Sequence, residues 1–179
     1  EEIRGTPAAA TDDPGTLPRQ DMVIVTLKAH ALSGVAAQID QLVGPNGCAV
    51  FMLNGPTWWC PQGRPGEQGP LPLLDPEGQL WRRLRERTLG CVVYSPNEVV
   101  SPGVVSHIGA NRFVIGEPSD EKTPRVQSVV DLFNKSGMTA EISPDLRGEV
   151  WRKLMNNASG NTLAALTRLG HYESASDPH

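Results

Sequence analysis

Three cysteines in 179 residues are too few, and too far apart, to organise a fold. Cys48, Cys60 and Cys91 form no Cys-x-x-Cys pair and no Cys/His cluster and are odd in number, which argues against a zinc site or a disulfide framework. Buried, inert thiols in a reducing cytoplasm are the expected state. Basic residues are also short: 16 Lys and Arg stand against 20 Asp and Glu, a net charge of −4. That balance argues against a nucleic-acid or anionic-membrane surface. No apolar run approaches the roughly 20 residues that span a bilayer, and the opening Glu1–Pro7 has no leader-peptide pattern. No internal repeat occurs. The chain also has no Gly-x-Gly-x-x-Gly/Ala turn between a strand and a helix. Gly63, Gly66 and Gly69 have a superficially similar spacing, but Pro65 and Pro70 interrupt them and no strand precedes them.

What is present is an alternation of apolar runs and helical patterns. Asp21–Leu27 is a continuous apolar run, as a strand buried on both faces requires, and ends in Lys28. His30–Val43 has helical periodicity (Leu32, Val35, Ala36, Ile39, Leu42), and Gly44-Pro45-Asn46-Gly47 stops it. Cys48–Leu53 is a second buried strand, followed by Asn54-Gly55. This is a β-α-β unit, so its strands should be parallel. Ligands of open parallel sheets bind beyond the carboxyl ends of the strands. Lys28 and Asn54 hold that position, one on each strand. Lys28 suits a phosphate or ribose; Asn54 suits a nicotinamide or substrate, or serves simply as a turn residue before Gly55.

Residues 56–78 form a long Pro/Gly-rich loop in which Trp58 and Trp59 either lid a pocket or, as favoured here, pack the loop down. Leu80–Arg87 reads as a short helix with a solvated basic face, and Gly90–Tyr94 as a third strand. Residues 98–116 read as a hairpin-like meander containing His107, which lacks a visible catalytic partner and is assigned a structural role. Thr123–Lys135 is a helix stopped by Ser136-Gly137, and Met138–Ile142 a last strand. Ser143 is placed to cap the final helix, with Pro144 in its first turn. Residues 171–179 form a polar tail.

The final helix carries the most informative pattern. At about 100° per residue, Trp151, Leu154, Met155, Ala158, Ala165 and Leu169 fall on an apolar stripe. Lys153, Asn157 and Asn161 fall on a second, polar one, because residues four apart stack on one face. Gly160 leaves a gap beside it. Repeated Asn and a Gly gain a helix interior nothing, so this face is either a pocket wall or plain solvated surface.

Trp151-Arg152-Lys153-Leu154, then Asn157, Asn161 and Ala165-Leu166-Thr167, resembles the substrate-domain helix of ketopantoate reductases (2-dehydropantoate 2-reductases). Thr26-Leu27-Lys28-Ala29 and Leu53-Asn54-Gly55 resemble that family's two strand-end motifs. The resemblance runs from about Asp21 to Thr167. It implies an α/β fold: a partial, Rossmann-like parallel sheet over residues 1–143, then, over residues 144–179, the first helix of an all-α substrate domain. By the same resemblance the family's pyrophosphate loop would lie upstream of Glu1, and a substrate-binding Ser and a cofactor-contacting Glu downstream of His179. It further implies NADPH-dependent reduction of a small 2-keto acid, 2-dehydropantoate, to pantoate, on the way to pantothenate and coenzyme A. Lys153 is then the proton donor and a substrate ligand, Asn157 and Asn161 are further substrate ligands, and Lys28 and Asn54 contact the NADP. A homodimer is an allowed assembly. The alternatives are a related reductase of another 2-keto or 3-hydroxy acid, a non-catalytic interaction module, and an inactive truncated homologue. A lone substrate-domain helix would leave its apolar stripe uncovered.

Overall fold

The computed structural model describes residues 4–67 and 69–170, with residues 173 and 176. Most of the tail pattern at 171–179 lies outside the described residues. Among the described residues, seven strands and five α-helices follow one another: β1 Gln20–Val25, α1 Ala29–Leu32, α2 Ala36–Leu42, β2 Val43–Met52, α3 Gln79–Leu84, β3 Thr88–Tyr94, β4 Asn97–Ser101, β5 Val104–His107, β6 Arg112–Gly116, α4 Pro124–Lys135, β7 Thr139–Ile142 and α5 Leu146–Thr167. Short 3-10 turns lie at Pro14–Thr16, Ser33–Val35 and Arg85–Arg87.

The main sheet has the order β1-β2-β3-β6-β7. β1, β2 and β3 are mutually parallel, β6 runs antiparallel to β3, and β7 is parallel to β6. The sheet is therefore mostly parallel, with the reversal at the β3–β6 seam. Alternation along the strands separates two cores. Phe51, Val92 and Val114 face one side, where α1–α3, the 56–62 loop and the start of α5 cover them. Val50, Cys91 and Ile115 face the other, against Val126, Val129, Val130 and Phe133 of α4.

Three local expectations are revised. β1 is not buried on both faces. It is the outer strand of the described sheet, and Ile24 is 45% exposed. Gly44–Gly47 ends α2 as expected but continues directly as the first half of β2, with a register slip opposite Gln20–Met22. Gly47 permits this: a Cβ there would lie 2.7 Å from the Gln20 carbonyl oxygen. Asp145, not Ser143, caps α5. Its carboxylate accepts the Gly148 amide at 2.9 Å, while Ser143 Oγ accepts the Asp145 amide. Gly148 lets that carboxylate lie against the helix backbone: a Cβ at 148 would fall 1.8 Å from it, so a larger residue would make the Asp145 side chain shift.

The meander at residues 98–116 divides. β4 and β5 form a separate two-stranded sheet, and β6 joins the main one. His107 is exposed on β5, its Nδ1 beside Asn97 Oδ1 at 3.1 Å, in keeping with a structural role. Trp58 and Trp59 are fully buried, with Trp58 edge-on to Phe51, so they pack the loop down. The basic face of α3 is partly engaged: Arg83, and Arg87 just beyond, pair with Asp40 of α2.

Candidate functional site

The carboxyl ends of β1, β2 and β3 share one edge of the sheet, because the three strands are parallel and adjacent. Neighbouring strands lie about 4.8 Å apart. Lys28 follows β1 as the N-cap of α1, and Asn54 follows β2; both side chains are exposed. Gly55 has φ +80° and open space where a Cβ would be. Among the described residues neither Lys28 nor Asn54 spends its side chain on a hydrogen bond. An uncommitted ammonium and an uncommitted carboxamide beside open space suit the phosphate, ribose and amide groups of a dinucleotide.

Lys153 reaches the same edge from α5. Its Nζ donates to the carbonyl of Val93, at the carboxyl end of β3, and lies 5.3 Å from the centroid of the Tyr94 ring. Burial lowers the lysine's pKa from its ordinary value, and the neighbouring Cys91 opposes that shift. Cys91 itself is pushed up to about 12 by burial and is chemically quiet.

α5 is aimed by its first two turns. Arg147, nearly fully buried, donates to the carbonyls of Cys60 (2.7 Å) and Gln62, and pairs with Asp120 at 3.4 Å. Asp120, at φ +64°, also accepts the Leu146 amide at 2.8 Å. Gly90 of β3 lets Trp59 and Leu146 close over the strand: a Cβ there would come within 2.5 Å of the indole and 2.7 Å of the leucine. So the tryptophan loop, β3 and the start of α5 form one block, and Lys153 projects from it.

The stripes on α5 are disposed differently from a helix that packs by its apolar side. Leu146 and Val150 are buried, and the same side continues as Lys153, Leu154 and Asn157, all half-buried. Trp151 (53% exposed), Met155 (70%) and Leu166 face away. Asn161, two turns beyond Lys153, is exposed. No hydrogen bond joins Lys153, Asn157, Asn161, Lys28 and Asn54 to one another among the described residues. Lys153 is at the strand ends; the two asparagines stand further along the helix.

Sequence reasoning missed Tyr94, Glu149, Arg147 and Asp120. Tyr94 Oη donates to Glu149 Oε2 at 3.1 Å, and Arg112 lies over the ring at 5.1 Å. Burial first, then Glu149, raises the tyrosine's pKa. The sequence held one signal, a Glu at 149 four residues before Lys153 and therefore on its face. No group of His, Cys, Asp and Glu among the described residues could hold a metal ion, and no helix there is long and apolar enough to cross a membrane.

A mostly parallel sheet between helical layers, with polar groups gathered at adjacent strand ends, defines a Rossmann-like α/β domain. Residues 1–120 match the family model of ketopantoate reductase PanE/ApbA, and the chain belongs to that family. A 2-dehydropantoate 2-reductase of Mesorhizobium japonicum is 39% identical over 164 residues, covering 90% of this chain and 50% of that protein. A crystal structure from Ralstonia solanacearum MolK2, assigned as a ketopantoate reductase, superposes with a TM-score of 0.88 at 36% identity, over 98% of this chain and 55% of its own. The 2-dehydropantoate 2-reductase of Geobacter metallireducens GS-15 gives 0.68 at 26% identity, over 87% and 46%. The chain thus spans about half the length of the curated relatives it matches.

Proposed function

We propose that the full-length protein carrying this chain is an NADPH-dependent 2-dehydropantoate 2-reductase, reducing the ketone of 2-dehydropantoate to the alcohol of pantoate. The observation that carries this reading is Lys153, whose half-buried amine lies at the carboxyl end of β3, on the sheet edge shared with Lys28 and Asn54. Family membership and the similarity to reductases named for this reaction support it.

Lys28 and Asn54 would hold the dinucleotide, which when bound supplies the hydride. The carbonyl carbon gains that hydride, so negative charge develops on the carbonyl oxygen. The Lys153 ammonium stabilises that charge and gives up a proton, leaving a neutral amine and the product hydroxyl. A lysine whose burial favours proton loss suits this step better than a fully solvated one. Asn157, one turn along, offers a carboxamide to the substrate's hydroxyl or carboxylate, and Asn161 offers a second, solvated one. Lys153 thus both binds and protonates. Preference for NADPH over NADH, a cytoplasmic location and a homodimeric assembly belong to the same reading. So does the division at residue 143, with α5 opening a helical substrate domain.

Lys153→Ala in the full-length protein is the decisive test. Loss of a positioned general acid lowers turnover by about 10²–10⁴-fold, measured as NADPH oxidation with 2-dehydropantoate. Near-normal turnover would exclude the assignment. Running the same assay with NADH tests the cofactor preference.

A further inference from the structure

Lysine has four rotatable side-chain bonds, so a proton donor of this kind needs something to hold it. The structure supplies two adjacent residues of β3. Val93 offers its carbonyl to Lys153 Nζ, and Tyr94 places its ring 5.3 Å below the same nitrogen, within the range of a cation–π attraction. The ring is itself held. Its hydroxyl donates to Glu149 Oε2 at 3.1 Å, and Glu149 is one helical turn before Lys153 on α5. Glu149 is kept in place from the other side by Arg152 at 2.7 Å. Arg112 of β6, paired with Glu141, lies over the tyrosine ring at 5.1 Å. Strand, helix and sheet seam therefore converge on one phenol.

We propose that Tyr94 is a positioning residue: its ring face holds the Lys153 ammonium at the carboxyl end of β3, and Glu149 tethers the ring. The proposal rests on Lys153 being the proton donor. The ring is the contact and the hydroxyl only its anchor, so the two parts of the side chain separate by substitution. Tyr94→Phe keeps the face and loses the tether. Tyr94→Leu and Tyr94→Met lose the face while retaining apolar bulk. Without the face the amine samples rotamers that miss the substrate oxygen, which lowers kcat. Lys28 and Asn54 are not altered, so dinucleotide affinity holds.

The experiment compares wild type, Tyr94→Phe, Tyr94→Leu, Tyr94→Met and Lys153→Ala in the full-length protein. Misplacement of a reacting group by about 1 Å costs up to roughly 100-fold in rate. On that scale the Leu and Met variants should lose about tenfold or more in kcat, with NADPH affinity by nicotinamide fluorescence within about twofold, and Phe should stay within about threefold of wild type. A second readout needs no turnover. Acetylation of Lys153 in the native protein, followed by peptide mass spectrometry, should quicken in Leu and Met but not in Phe, while the exposed Lys135 reacts unchanged throughout. Wild-type kcat and acetylation in both Leu and Met would overturn the proposal, as would an equal loss in Phe. Undiminished turnover of Lys153→Ala would instead remove the donor assignment beneath it, so the two failures are distinct.

Discussion

Sixty positions separate Lys153 from the carbonyl that accepts its hydrogen bond. Under the proposed function, that contact places a cation where ketone reduction needs one, in a setting whose burial favours loss of its proton. Burial is the leading cause, because a desolvated ammonium loses hydration that the neutral amine does not need. The sign follows. A proton donor is active while protonated, so reduction should fall as pH rises through the pKa of Lys153. A lowered pKa puts that fall below the value of about 10.4 for a free lysine side chain. The pH profile of kcat in the full-length protein, with NADPH saturating, checks this. A profile flat to that value would show that the amine is not the group titrating. Lys153 was legible in the sequence as a member of a polar stripe. Its partner Val93 was not, because a backbone carbonyl has no sequence signature.

At the scale of elements, one small residue decides whether α5 can sit where it does. Gly90 lies in the middle of β3 and has no unusual backbone conformation, so its role is purely one of space. Trp59 and Leu146 come so close that a methyl group cannot fit between strand and loop without displacing one of them. Overpacking a well-filled core costs about 1–3 kcal/mol. Gly90→Ala should therefore lower stability by that amount in urea unfolding, and it should also shift α5 and so reduce turnover. An unchanged unfolding midpoint would mean that the indole moves aside freely. The elements themselves were largely readable. Apolar runs gave β1, β2 and β3, and periodicity gave α4 and α5. The failures were at edges and caps. β1 looked doubly buried because an apolar run does not reveal whether a neighbour strand flanks it. Ser143 looked like a cap because Ser before Pro is a favoured helix opening, yet the helix starts only at Leu146, so Asp145 takes the capping bond from Gly148 and Ser143 is left to accept the Asp145 amide.

For the molecule as a whole, the disposition of α5 matters more than its length. The helix packs by Leu146, Val150, Lys153, Leu154 and Asn157, and turns Trp151, Met155 and Leu166 outward. An exposed apolar row of this kind attracts apolar ligands and other surfaces. The 179-residue chain should accordingly bind a dye such as ANS in its folded state. Met155→Glu with Leu166→Glu should remove most of that fluorescence while leaving the melting temperature nearly unchanged, since neither side chain is buried. A large drop in melting temperature would show instead that the row packs within this chain.

Local chemistry settled much by itself. Apolar runs, periodic faces and glycine or proline punctuation specify a β-α-β unit, the two later helices and a stripe of Lys153, Asn157 and Asn161, because these depend on residues close in sequence. Tertiary structure alone decided that Lys153 meets β3 while Asn161 stays in solvent. It alone brought Tyr94 and Glu149 together over 55 positions, and Arg147 to the carbonyl of Cys60 across 87. Those contacts arise from how a sheet reverses direction and how a loop closes over a glycine, and that geometry exists only once distant segments have packed.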